Sequence, residues 1–294
     1  MRAASVSSSS PDYLPRFCSR SGPLRVSSEH SCLEVKKLRY RSPGTQLDLL
    51  SDVTLSLPVK RFGLVFGRSG SGKTTLLQIL AGLCAPTSGS ICIQHYGSDG
   101  SPKLSPEILL PERVGIVFQF PERYFLADTV LEEVTFGWPR QKADSSTREQ
   151  LASNLQYAFS AVGLHAISLE ENPHSLSGGF KRRLALAVQL VQKPALLLLD
   201  EPLAGLALLH EKLVFPFCFG IALEFVQRRQ VLELNLLHVS DWKARADVVK
   251  LLKHLKKELT ILAVSHDLKE LSALVDASWR MEMGGILKEE RLTL

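Results

Sequence analysis

The sequence predicts an α/β fold built on a parallel β-sheet, and three stretches predict it. ALLLLDE, Ala195 to Glu201, is short and wholly apolar until its two acids, as expected of a central strand covered on both faces. RFGLVF, Arg61 to Phe66, reads as a second buried strand and runs straight into GRSGSGKTTLLQILAGL, Gly67 to Leu83, where glycines give way to an apolar-periodic helix. TILAVSHD, Thr260 to Asp267, is a third apolar run that turns polar at its carboxyl end. Strands alternating with helical stretches are the pattern of parallel sheets, because the crossover between parallel strands needs a helix.

Composition bounds what the chain can be. At 294 residues and 45% apolar it holds ample material for a large core. The longest apolar run, Leu213 to Leu223, spans 11 residues and contains Pro216 and Gly220, short of the roughly 18 that a membrane-spanning helix needs. The net charge of +5 divides into +2 for residues 1–31 and +3 for the rest, so nucleic-acid binding is not expected. The cysteines (Cys18, Cys32, Cys84, Cys92, Cys218) are odd in number and form no C-x-x-C pair, which argues against a disulfide framework or a zinc site.

In chain order, residues 1–31 carry ten Ser and four Arg against Asp12 and Glu29, with no apolar signal core. That composition fits an organelle transit peptide, plastid rather than mitochondrial, or an ordinary disordered tail. The domain is therefore expected over 32–294. LEVKKLRY (Leu33–Tyr40) and DVTLSL (Asp52–Leu57) alternate as strands. The loop at Gly67, Arg68, Ser69, Gly70, Ser71, Gly72, Lys73, Thr74 and Thr75 matches G-x-x-x-x-G-K-[ST] between a strand and a helix. Its backbone N–H groups and the helix N-terminus suit phosphate oxygens; Lys73 suits the β- and γ-phosphates and Thr74 a Mg²⁺ ion. A nucleoside triphosphate is the expected ligand.

GSDGSPKLSPEILLPE, Gly97 to Glu112, is a turn-rich linker before a strand, VGIVFQFPE. Thr129-x-x-Glu132 offers a helix capping box, and KADSSTREQ, Lys142 to Gln150, a loop or helix start. In NPHSLSGGFKRRLALAVQLVQK, Ser177, Gly178 and Gly179 open an amphipathic helix, either as a plain cap and turn or as an anion-binding terminus. Lys181, Arg182 and Arg183 read most simply as a solvated helix face. Asp200 is then suited to the Mg²⁺ shell, and Glu201 to orienting the attacking water. His266, at a strand's carboxyl edge, is suited to touch the γ-phosphate. Two phosphate-seeking termini lie roughly 105 residues apart, which one nucleotide in one pocket does not obviously use.

The ordered set GRSGSGKTT, FQFPE, LSGGFKRR, LLLLDEPLAGL and AVSHD resembles the ATP-binding subunit of an ABC transporter. Within that family it is most similar to the energy-coupling-factor or cobalt-importer type, and with its leader to the plastid-targeted ABC transporter I family ATPases of plants. The resemblance implies a P-loop NTPase: a RecA-like core with a parallel sheet, a small antiparallel β subdomain, and a helical signature subdomain at about 121–185. It implies that Tyr40 stacks on adenine, although a plain strand-face role fits Tyr40 equally well. Gln119 would sense Mg²⁺ and the γ-phosphate, so the implied metal set is Thr74, Gln119 and Asp200. Ser177, Gly178 and Gly179 would close over ATP held by a second ABC ATPase subunit, in a homo- or heterodimer, which explains the two termini. The usual signature Gln is here Phe180, a departure expected to be tolerated.

The resemblance breaks once. PLAGL ends at Leu206, and the helix-opening Asp that should follow appears as Asp241, so residues 207–240 are 34 extra positions. They hold eight Leu, four Phe and four Val, unlike a flexible linker. A retained intron or faulty gene model is favoured, because family sequence stops and restarts without loss; a lineage-specific insertion and a differently placed D-loop are the alternatives. Lengthening that loop costs only about 2 kcal/mol of closure entropy, so impaired dimer closure is expected rather than failure to fold. The expected function is an ATPase with Mg²⁺ and ATP, peripheral on membrane-embedded transporter subunits at a plastid membrane facing the stroma. The transported solute would be a transition-metal cation or a vitamin. The alternatives are a soluble ABC ATPase of iron–sulfur or other assembly, and a catalytically impaired form.

Overall fold

A computed structural model describes residues 31–96, 105–136, 145–204 and 244–292, with side chains in the third segment from Arg148 onward. Residues 1–30 of the leader expected over 1–31, the extra segment at 207–240 and Asp241 lie outside the described residues. Ser31, read as the last leader residue, instead opens β1 (Ser31–Arg41), where its carbonyl accepts the Val59 N–H at 2.8 Å.

The alternating stretches form an antiparallel sheet. β2 (Asp48–Pro58) and β4 (Ser88–His95) flank β1, and the short β5 (Glu107–Ile108) pairs with β4, in the order β2-β1-β4-β5. The second sheet has six strands in the order β10-β9-β3-β8-β7-β6. Its members are β3 (Phe62–Gly67), β6 (Val114–Val117), β7 (Leu196–Asp200), β8 (Thr260–Val264), β9 (Ala277–Glu282) and β10 (Ile286–Glu289). All pairings are parallel except that of β10 with β9. Burial explains why β7 reads as continuous leucine: Leu197 and Leu199 enter one apolar cluster, and Leu196 and Leu198 enter the other, on the opposite face.

The first cluster is closed by α3 (Ser145–Val162), α4 (Gly178–Leu190) and α5 (described over 244–255), through Val162, Leu184 and Leu252 among others. The second is closed by α1 (Lys73–Leu80) and the antiparallel sheet, where Leu76, Leu77, Ile79 and Leu80 recur at helical spacing. Two short helices complete the frame, α2 (Val130–Val134) and α6 (Leu268–Leu271). The Thr129 hydroxyl caps α2 by accepting the Glu132 N–H at 3.2 Å, as its spacing predicts.

Strand register sets the site. Val65 pairs with Val264, Asp200 with Val264, and Val117 with Leu199. Continuing each pair past the strand ends brings Gly67, Gln119, Glu201 and His266 to one carboxyl edge, the place where open α/β sheets bind ligands.

Candidate nucleotide site

The loop after β3 is shaped by positive φ angles. Gly67 stands at φ +151°, and a Cβ there would meet the Met281 carbonyl oxygen at 2.2 Å, so only glycine fits. Gly70 and Gly72 also have positive φ, at +78° and +102°, and Gly72 caps α1 without any side-chain hydrogen bond. The first N–H groups of α1 are thus left for a ligand. Lys73 Nζ donates to the carbonyls of Gly67 and Arg68, both at 2.9 Å, folding its ammonium back over the loop. The Ser71 hydroxyl is buried with no partner among the described residues.

These residues line a cavity of about 470 Å³ whose walls include Ser69, Thr74, Thr75, Gln119, Asp200, Glu201 and His266. Arg68 lines a neighbouring cavity instead, together with Arg280 and again His266. At the inner wall Thr74 Oγ1 donates to Asp200 Oδ2 at 3.2 Å, with Oδ1 at 3.5 Å. Asp200 is 7% exposed, and burial pushes its carboxyl up from the ordinary carboxylate range while the Thr74 hydroxyl pulls the other way. A hydroxyl and a desolvated carboxylate are hard oxygen donors, and a divalent cation would offset the cost of burying the charge. The residues present therefore fit Mg²⁺.

Glu201 follows Asp200 in the left-handed region, at φ +48°. The adjacent β8 holds it there: the Glu201 N–H donates to the Val264 carbonyl at 2.8 Å. Three groups then converge on one carboxylate oxygen, Oε2. Ser265 Oγ donates at 3.0 Å, the His266 N–H at 3.3 Å, and His266 Nδ1 lies at 2.9 Å. The carboxylate beside it raises the His266 pKa above the ordinary value. No hydrogen bond occupies Glu201 Oε1 among the described residues, which leaves it free to accept a proton from water. Glu201, His266 and Asp267 offer ligand atoms within 4.8 Å of one another, but the donors on Oε2 and the Arg245–Asp267 contact at 3.6 Å already use that cluster.

Not every expected residue joins this cavity. Ser177 and Gly178 are exposed at the start of α4, Gly179 is half-buried, and none of them lines the cavity. Ser177 makes no capping bond, and a Cβ built on either glycine would meet nothing within 4 Å. Tyr40 is half-buried on β1 against the second apolar cluster, and it does not line the cavity either.

Arg182 corrects the solvated-face reading. It is 7% exposed, and its guanidinium donates to backbone carbonyls of Pro202, Gln119 and Ala204. Helical spacing carried the signal: residues three and four further on, Ala185 and Leu186, are buried on the same face. Ser265 was also missed. Only the pairing of β7 with β8 puts its hydroxyl on Glu201.

Residues 50–204 match the family model described as ABC transporter. The chain belongs to the ABC transporter family. It is an ATP-binding, ATP-hydrolysing subunit of that family. Among its relatives, ABC transporter I family member 11, chloroplastic, from Arabidopsis thaliana is 59% identical over 94% of this chain and 87% of its own length. An energy-coupling factor transporter ATP-binding protein EcfA2 from Clostridium acetobutylicum is 32% identical over 83% of this chain and 74% of its own length. Among solved structures, cbiO1 from Clostridium perfringens, part of the ABC transporter complex cbiONQ, aligns with a TM-score of 0.60 at 24% identity, covering 90% and 89% of the two chains. A nucleotide-free ATP-binding cassette from an ABC transporter aligns at TM-score 0.59 and 18% identity over 89% of this ATPase and 91% of that chain. Both likenesses concern the fold. No helix among the described residues is long and apolar enough to cross a membrane.

Proposed function

We propose that this ATPase energises solute import at a plastid membrane, with each ATP held between two subunits. The observation that carries the reading is the division of phosphate-seeking groups. Lys73, Thr74 and the open N-terminus of α1 face the cavity, whereas Ser177, Gly178 and Gly179 crown another helix outside it. A second subunit set head to tail would bring such a terminus over the first subunit's γ-phosphate.

In this reading Lys73 swings from the loop carbonyls to the β- and γ-phosphates. Thr74, Asp200 and Gln119 hold Mg²⁺, which neutralises charge on the phosphate oxygens when bound. Glu201 orients water and takes its proton on Oε1, and His266 touches the γ-phosphate. Tyr40 supplies a ring for adenine, and Asp241 reaches toward the partner. A groove lined by Phe118, Pro121, Tyr124 and Phe125, with Leu126 76% exposed nearby, suits a membrane-embedded transporter subunit. The plastid location rests on the chloroplastic relative and the Ser- and Arg-rich leader. Import of a metal cation or vitamin rests on the resemblance of the ordered motifs to the energy-coupling-factor or cobalt-importer type.

The test is MgATP hydrolysis by the full chain and by a form lacking 207–240, with Glu201→Gln as the blank. The extra segment begins six residues after Glu201, so turnover is expected to be faster in the shortened form, while Glu201→Gln binds MgATP without turning it over. A Glu201→Gln chain as active as its parent defeats the site assignment. Equal turnover of the two lengths defeats the argument about 207–240. Recovery of the protein only from soluble stroma, with no membrane partner, counts against the transport role.

A further inference from the structure

Arg182 sits in the second turn of α4, five residues beyond Ser177, and among the described residues its guanidinium bonds only to backbone carbonyls. Glu122 acts on it only from longer range, and burial pulls its pKa down. A buried guanidinium without a counter-ion is costly, and an apolar side chain of similar volume would ordinarily serve packing as well or better. What an apolar side chain cannot do is donate in several fixed directions at once. Arg182 does this: Nη1 donates to the Pro202 carbonyl at 2.7 Å, and Nη2 donates to the Gln119 carbonyl at 3.2 Å and to that of Ala204.

The three carbonyls belong to two loops that serve different ends of the site. One loop carries Gln119 on the cavity wall and continues through Phe118 and Tyr124, whose rings stack at 4.7 Å beside the apolar groove. The other leaves Glu201 and leads into the stretch expected to reach a partner subunit. Arg183 donates to the Val162 carbonyl at 3.2 Å and approaches Asp247 of α5 at 3.8 Å, so α4 grips the chain on both sides of that stretch. The Phe118 and Arg182 contacts flank Gln119, so a shift of its backbone must pull on the guanidinium. The guanidinium in turn holds the two turn residues just after the general base.

We infer that Arg182 is a positioning residue that makes the Gln119 loop and the Pro202–Ala204 turn move as one body, coupling the nucleotide cavity to the apolar groove and to the catalytic glutamate together. This rests on the proposed roles of Gln119 and Glu201.

The test compares full-length wild type, Arg182→Ala and Arg182→Lys by steady-state MgATP hydrolysis and by amide hydrogen exchange. Arg182→Ala is expected to lower kcat about tenfold to a hundredfold with KM within about twofold, as loss of positioning does. Exchange should rise together at residues 118–120 and at Glu201, Leu203 and Ala204 while α1 stays protected. Ethylguanidinium added to Arg182→Ala should restore part of kcat, and ethylammonium should not, because only the planar fork reaches both loops. Arg182→Lys keeps the charge but not the fork, so it should resemble Arg182→Ala; if the alanine chain does not fold, the lysine chain carries the test.

A kcat within twofold of wild type overturns the inference. So does exchange that rises in one loop alone, or a loss of activity that tracks general unfolding and that ethylguanidinium leaves unchanged. A wild-type chain without turnover would instead defeat the functional reading, and joint release of the two loops would still decide the coupling.

Discussion

Removing the Ser265 hydroxyl tests how the Glu201 carboxylate, the proposed base, is held. Ser265 is fully buried; its Oγ donates to Glu201 Oε2 at 3.0 Å and accepts the Asp267 N–H at 3.1 Å. Ser265→Ala removes one of three donors from that oxygen and strands the Asp267 N–H. A hydrogen bond to a charged group contributes about 1.5–3 kcal/mol, so a stability loss of about 2 kcal/mol is expected. For a chain of 294 residues that corresponds to a fall of roughly 3 °C in Tm. Glu201 also sits at φ +48°, a conformation that costs a non-glycine residue about 1–2 kcal/mol and persists only while its surroundings hold it. With one tether gone the carboxylate gains freedom, and kcat should fall about tenfold while KM for MgATP stays within about twofold. Thermal unfolding and steady-state hydrolysis measure both. A Ser265→Ala chain with the expected Tm shift and unchanged kcat would refute the reasoning, because the hydroxyl would then support the fold alone.

Two further outcomes follow from the same edge of the sheet. His266 should titrate above its ordinary value of 6.5 by NMR and fall back toward it in Glu201→Gln. The sign is that of a raised base: the ion pair's stabilisation is complete below the ordinary value and is lost as pH rises through the folded one. Because His266 is 67% exposed, that stabilisation is below about 1 kcal/mol; an unchanged titration in Glu201→Gln would show that the pair is not what raises it. Gly67→Ala places a Cβ 2.2 Å from the Met281 carbonyl oxygen at positive φ and should cost on the order of 3 kcal/mol in chemical denaturation, with loss of nucleotide binding. A full-affinity, full-stability alanine chain would mean that the β3–β9 contact is not tight.

The sequence by itself determined the chemistry of this protein and much of its frame. The phosphate loop, Asp200, Glu201 and His266 are legible because each ends a short apolar run, and period and composition are local properties of the chain. The same reasoning found β1, β2, β3, β6, β7, β8 and the starts of α1 and α4. It passed over β4, β9 and β10, where SGSICIQH, ASWRME and ILKE carry no sustained alternation and become strands through their neighbours. The tertiary structure alone decided which residues meet. Glu201 reaches Ser265 across 64 positions of sequence because parallel pairing brings distant strand ends to one edge, and Arg182 reaches Gln119 across 63 because α4 packs against β6. No local pattern records that register. Arg182 is the intermediate case: its spacing from Ala185 and Leu186 puts it on the buried face of α4, but only the assembled layers bring the carbonyls of two loops to its guanidinium, which a side chain's own polarity does not state.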